Sequence, residues 1–93
     1  MNTYIIQKYI NKMTKKDVYS YALKKGLILN ETEVTKTYDY IKNNYKDYFN
    51  NNLPKEKILN DAKSTFTEEN YQKFKNLYNE YKDNRVEKNN WNS

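Results

Sequence analysis

The chain has no cysteine, no histidine, one glycine and one proline in 93 residues. Without cysteine there is no disulfide framework and no thiolate zinc site. Without histidine the commonest metal ligand and the commonest general base near neutral pH are missing. A single glycine, Gly26, cannot build a phosphate-cradling glycine-rich loop. So few turn residues argue against an all-β fold, which needs them at short intervals. The longest apolar runs, Tyr4-Ile5-Ile6 and Leu27-Ile28-Leu29, are far shorter than a membrane span or a signal-peptide core. The expectation is one soluble, cytoplasmic domain that uses no cofactor, no metal and no membrane.

An enzyme is also not expected. Ser20, Ser64, the threonines and the lysines have no histidine to activate them. The acidic pairs Glu31/Glu33 and Glu68/Glu69 resemble general acid/base or metal-binding carboxylates. Each pair falls in the first turn of an expected helix, however, where the macrodipole favours negative charge by roughly 0.3–1 kcal/mol. That structural role accounts for them, and no carboxylate spacing matches a calcium loop.

What the sequence does have is apolar residues at helical spacing, which predicts an all-α bundle of four to five short helices. Residues 2–13 place Ile5, Ile6, Tyr9, Ile10 and Met13 on one broad face, opposite Lys8 and Lys12. Residues 15–25 offer Val18 and Ala22, with Tyr21 beside them. Residues 31–49 carry Val34, Tyr38, Ile41, Tyr45 and Tyr48 in a narrow stripe. Residues 54–66 supply Ile58, Leu59, Ala62 and Phe66; residues 68–84 supply Tyr71, Phe74, Leu77, Tyr78 and Tyr81. A tyrosine-rich core follows, with Tyr4, Tyr19 and Tyr40 the freer tyrosines. Residues 1–84 are expected to form the domain, and residues 85–93, "RVEKNNWNS", a frayed tail in which Trp91 has nothing local to bury against.

Three helix starts share one grammar: "MTKKDV", "LNETEV" and "FTEENY". Thr14, Asn30 and Thr67 can accept a bond from an otherwise unpaired backbone N–H. Glu33 can reach back to complete a capping box, and Asp17 is a shorter version. Met13/Val18, Leu29/Val34 and Phe66/Tyr71 stand at the two positions of a hydrophobic staple. Gly26 is expected to end the second helix in a left-handed conformation, with Leu27 closing over Ala22 and Ile28 free to enter the core. Pro54 suits the first turn of the fourth helix.

The net charge of +5 is carried entirely by residues 1–30, where six lysines face Asp17 alone; residues 31–93 hold eleven basic and eleven acidic groups. That asymmetry suits nucleic acid or an acidic partner. A low-GC coding bias yields the same Lys-, Asn-, Tyr- and Ile-rich composition without any ligand. Two functional readings follow. The first is a protein acting through protein contacts or self-association, with Ile5, Ile6, Tyr9 and Ile10 as the contact face. The second is a nucleic-acid binder using Tyr4, Lys8, Lys12, Lys15 and Lys16.

From Thr14 to Lys82 the order of "TKKDVYSYALKKGLIL", "NETEV", an Asn-rich joint, "LPKEKILNDAKSTF" and "TEENYQKFKNLYNEY" resembles the YqfT-like group of short proteins from low-GC Gram-positive bacteria. The resemblance implies a helical fold with capped helices and a Gly-Ile-type turn. It implies no catalytic or binding residue. Residues 14–45 are also similar to helix–extended-loop–helix nucleic-acid modules of the SAP or LEM type, which implies fold rather than function.

Overall fold

Five helices follow one another in the computed structural model: α1 Thr3–Lys12, α2 Lys15–Lys24, α3 Glu31–Phe49, α4 Lys55–Thr65 and α5 Glu68–Asn92. The structure describes residues 3–92, with side chains from Tyr4 to Glu80. The protein is an all-α bundle, as the apolar spacing predicts. No strand occurs among the described residues, and none of their helices is long and apolar enough to cross a membrane. The backbone of α5 continues to Asn92 without a break at residue 84. The side chain of Trp91 lies outside the described residues.

Helix α3 is the spine. Helices α1, α2 and α4 pack on it, and α5 packs on α4. The main cluster joins Val18, Leu27, Leu29 and Val34, with Met13, Ala22, Tyr38, Ile41, Phe66, Phe74 and Leu77 packed round it. Ile10, Ile58, Ala62 and Tyr78 are buried outside that cluster. The centre is thus aliphatic, and the tyrosines sit towards its rim. Tyr78 is the one buried tyrosine among the described residues, stacked on Phe74 at 5.9 Å. Amphipathic rings favour this position because the hydroxyl needs a polar neighbour.

The α2–α3 link shows the expected cap. Gly26 has φ +90°, its N–H donates to the Leu23 carbonyl at 3.0 Å, and the Leu27 N–H donates to the Ala22 carbonyl at 2.9 Å. This is the Schellman pattern, and Leu27 is buried. Ile28 departs from expectation and is 67% exposed. The backbone from Leu27 to Asn30 is not helical, so neighbouring side chains alternate in direction, and burying Leu27 and Leu29 turns Ile28 outward. Tyr21 is likewise exposed, because among the described residues α2 packs on α3 alone and Val18 and Ala22 already cover that side.

A second cap of the same kind ends α3. Asn51 takes φ +61°, and the Asn51 and Asn52 N–H groups donate to the Tyr48 and Asp47 carbonyls at 3.2 and 2.8 Å. The polar joint Asn50-Asn51-Asn52 is therefore a built stop, with asparagine where glycine is commoner. Pro54 stands one residue before the helix rather than in its first turn.

The two caps carry a testable difference. A Cβ on Gly26 would meet no atom within 4 Å, so Gly26→Ala suffers only the backbone strain of positive φ. It is expected to lower stability by about 1–2 kcal/mol in urea unfolding. An unchanged midpoint would mean that the turn relaxes.

Candidate functional site

Carboxylates, cations and exposed apolar residues are the three places where this chain can meet a ligand. Asp17, Glu33 and Asp61 are carboxylates with structural bonds. Asp17 and Thr14 form a full capping box at α2, with bonds of 2.9 and 3.1 Å. Asn30 and Glu33 do the same at α3: the Asn30 N–H donates to Glu33 Oε1 at 2.9 Å, and the Glu33 N–H to Asn30 Oδ1 at 2.8 Å.

Glu33 does more than its local pattern announces. It is 3% exposed. Its Oε2 accepts the Thr67 N–H at 2.8 Å, and the Asn70 amide donates to Oε1 and Oε2 at 3.0 and 3.1 Å. The same amide donates to the Ile28 carbonyl at 3.1 Å. Meanwhile Thr67 Oγ1 accepts the Asn70 N–H at 3.3 Å, capping α5. One carboxylate therefore serves the starts of both α3 and α5, where the unpaired N–H groups of two helices converge. Burial pushes its pKa up. Hydrogen bonds from the Asn30 and Thr67 backbones and from the Asn70 and Thr67 side chains outweigh that and hold it below the ordinary glutamate value of 4.5. A filled, buried, anionic Glu33 is a structural tie with no face towards a substrate. Glu31 stays exposed and does not join it.

A smaller tie links α3 to α4. The Tyr40 hydroxyl donates to Asp61 Oδ2 at 2.7 Å, and Lys57 pairs with the same oxygen at 3.1 Å. The Tyr40 bond first, then Lys57 against some burial, lowers the Asp61 pKa; burial and Asp61 together raise that of Tyr40. Tyr40 is thus fixed, contrary to its expected freedom.

The residues expected to contact a protein partner divide. Ile10 is buried and Ile6 half-buried against the bundle. Ile5 is 63% and Tyr9 74% exposed. At about 100° per residue Ile5 and Tyr9 stand together on one flank of α1, roughly a quarter-turn from the buried Ile6–Ile10 direction. Helix α1 packs on α3 and, among the described residues, on no other helix, so this flank is uncovered.

The residues expected to contact nucleic acid divide as well. Lys8 sits over the Tyr4 ring at 5.0 Å, both exposed on α1. Lys12, exposed, stands one helical turn beyond Lys8 on the same side of α1. Lys15 and Lys16 line a shallow hollow with Tyr19, Leu29, Glu31 and Val34. Lys15 also reaches the ring of Tyr38, 6.0 Å from its centroid, and Lys42 reaches the same ring at 5.3 Å. Lys42 and Lys46, with Ile10, Asn11, Asn43 and Tyr45, line an open groove between α1 and α3. Those two lysines belong to the stretch whose charges cancel in the sequence. Only the packing of α1 on α3 reveals them as part of a basic surface.

No family model matches the chain, and no curated protein or solved structure matches it. The YqfT-like resemblance therefore rests on helix caps and apolar spacing alone. Function has to be argued from the surfaces just described. Among the described residues no group of three or more metal-ligating side chains gathers.

Proposed function

We propose that this is a non-enzymatic, cytoplasmic protein that acts through protein–protein contact, with the outer flank of α1 as its contact surface and a second copy of the chain as the first partner. The observation that carries this reading is the one-sided packing of α1. A ten-residue helix that docks on a single neighbour keeps a large apolar area in water, and Ile5 and Tyr9 supply it side by side. An isolated helix of this length is marginal, so a partner on the open flank would stabilise it as well as bind. Exposed Tyr21 and Ile28 lie on other elements and extend the apolar surface available to a partner.

Sedimentation velocity over a rising concentration series tests the reading. The wild-type chain is expected to associate. The double variant Ile5→Glu/Tyr9→Glu should keep its helical circular dichroism and weaken association at least tenfold, since each side chain is worth about 1.5–3 kcal/mol when fully buried. A wild-type monomer throughout would exclude self-association. Undiminished association of the variant would remove α1 from the interface.

A further inference from the structure

We infer that the groove between α1 and α3 is a binding site for single-stranded nucleic acid, separate from the contact flank of α1. Ile10 and Tyr45 are its apolar lining residues. Lys42 and Lys46, one helical turn apart, and Asn11 and Asn43 complete the lining. Lys15 extends the cationic line onto α2, because it and Lys42 converge on the Tyr38 ring. Each ammonium group is drawn to that ring by its quadrupole.

These cations are not used up internally. Among the described residues the one ion pair within 4 Å joins Lys57 to Asp61, on α4. Lys15, Lys42 and Lys46 thus keep their charge for an external anion. The hollow at Lys15 and Lys16 contains Glu31, whose charge opposes an anion. The favoured track therefore runs from Lys15 over Tyr38 to Lys42 and Lys46, not into that hollow.

The shape selects the strand. Reading a duplex takes an element that projects into the major groove, whereas these residues line a concavity. A single strand can lay phosphates along the lysines and turn bases inward, towards the Tyr45 ring and the two carboxamides. A carboxamide carries both donors and an acceptor, so it suits the edges of unpaired bases without demanding one sequence.

The test is fluorescence anisotropy with labelled oligouridylate, oligothymidylate and a mixed-sequence duplex. With three phosphates neutralised, single-strand affinity should fall about twentyfold between roughly 50 and 200 mM salt. Lys42→Gln/Lys46→Gln should lower affinity at least tenfold and flatten the salt dependence, while Lys63→Gln/Lys73→Gln, on α4 and α5, should leave both unchanged. Because Lys42 is half-buried over Tyr38, the exposed pair Lys15→Gln/Lys46→Gln provides the same test with Lys42 left in place. Oligouridylate and oligothymidylate binding alike indicates phosphate-and-base recognition; preference for one identifies the sugar or the thymine methyl as a further determinant. No binding at the lower salt, equal loss in the control pair, preference for the duplex, or equal displacement by polyglutamate would overturn the proposal, the last in favour of an acidic protein.

Discussion

Glu33→Gln is expected to lower the free energy of unfolding by about 2–4 kcal/mol at neutral pH. Glutamine fills the same volume but replaces one oxygen by an amide nitrogen. Glu33 receives donors at both oxygens: the Asn30 N–H and the Asn70 amide at one, the Thr67 N–H and the same amide at the other. Either orientation of glutamine therefore sets an N–H₂ against a backbone N–H and leaves a buried donor unpaired. Urea unfolding of the variant beside Glu31→Gln checks this. Glu31 is exposed two residues away and should change stability by no more than about 1 kcal/mol, the scale of its macrodipole interaction. The sign with pH is fixed by the lowered pKa. The tie is complete above pH 4.5 and is lost as pH falls through the folded-state pKa of Glu33. The gap between wild type and Glu33→Gln should accordingly close in acid. A constant gap would mean that Glu33's charge is not what stabilises the junction.

Asn70→Asp has the second large effect, and its deficit also closes in acid, for a different reason. It removes the amide that donates to both Glu33 oxygens and to the Ile28 carbonyl. It puts a second carboxylate about 3 Å from the first. Two buried carboxylates that close cannot both ionise, so the folded state must take up a proton at neutral pH. The cost is about 3–5 kcal/mol, comparable to breaking a buried charge network. The shared proton raises one folded-state pKa above its unfolded value. The variant's deficit should therefore be largest at neutral pH and should shrink as pH falls towards the unfolded carboxylate range. Unfolding free energies at several pH values decide it; a deficit that grows in acid contradicts the geometry.

These two residues also show where the sequence was legible. The capping boxes at Thr14/Asp17 and Asn30/Glu33 were readable because a cap closes over three residues. The Gly26 stop was readable because only that position offered free passage to positive φ. The second task of Glu33 was not, since its partners lie 34 and 37 residues away. One signal existed: "FTEENY" has asparagine where the other two starts have a carboxylate, and its amide must find an acceptor elsewhere. Ile28 and Tyr21 were placed by assuming that each apolar residue beside a core position turns inward; backbone alternation and one-sided packing decide otherwise. Lys42 and Lys46 were hidden for a different reason. Charge summed along the chain averages away a strip that exists only where α1 meets α3.

The central claim is that an ionised Glu33 joins the starts of α3 and α5 and so fixes the frame from which the α1 flank and the α1–α3 groove are presented. Carbon-detected NMR titration of the Glu33 carboxyl, with the Asn30 and Thr67 amide protons followed in the same series, tests it most directly. The account predicts a midpoint below 4.5 and both amides shifting with that midpoint. A midpoint at or above 4.5, or a Thr67 amide that ignores the titration, would contradict it.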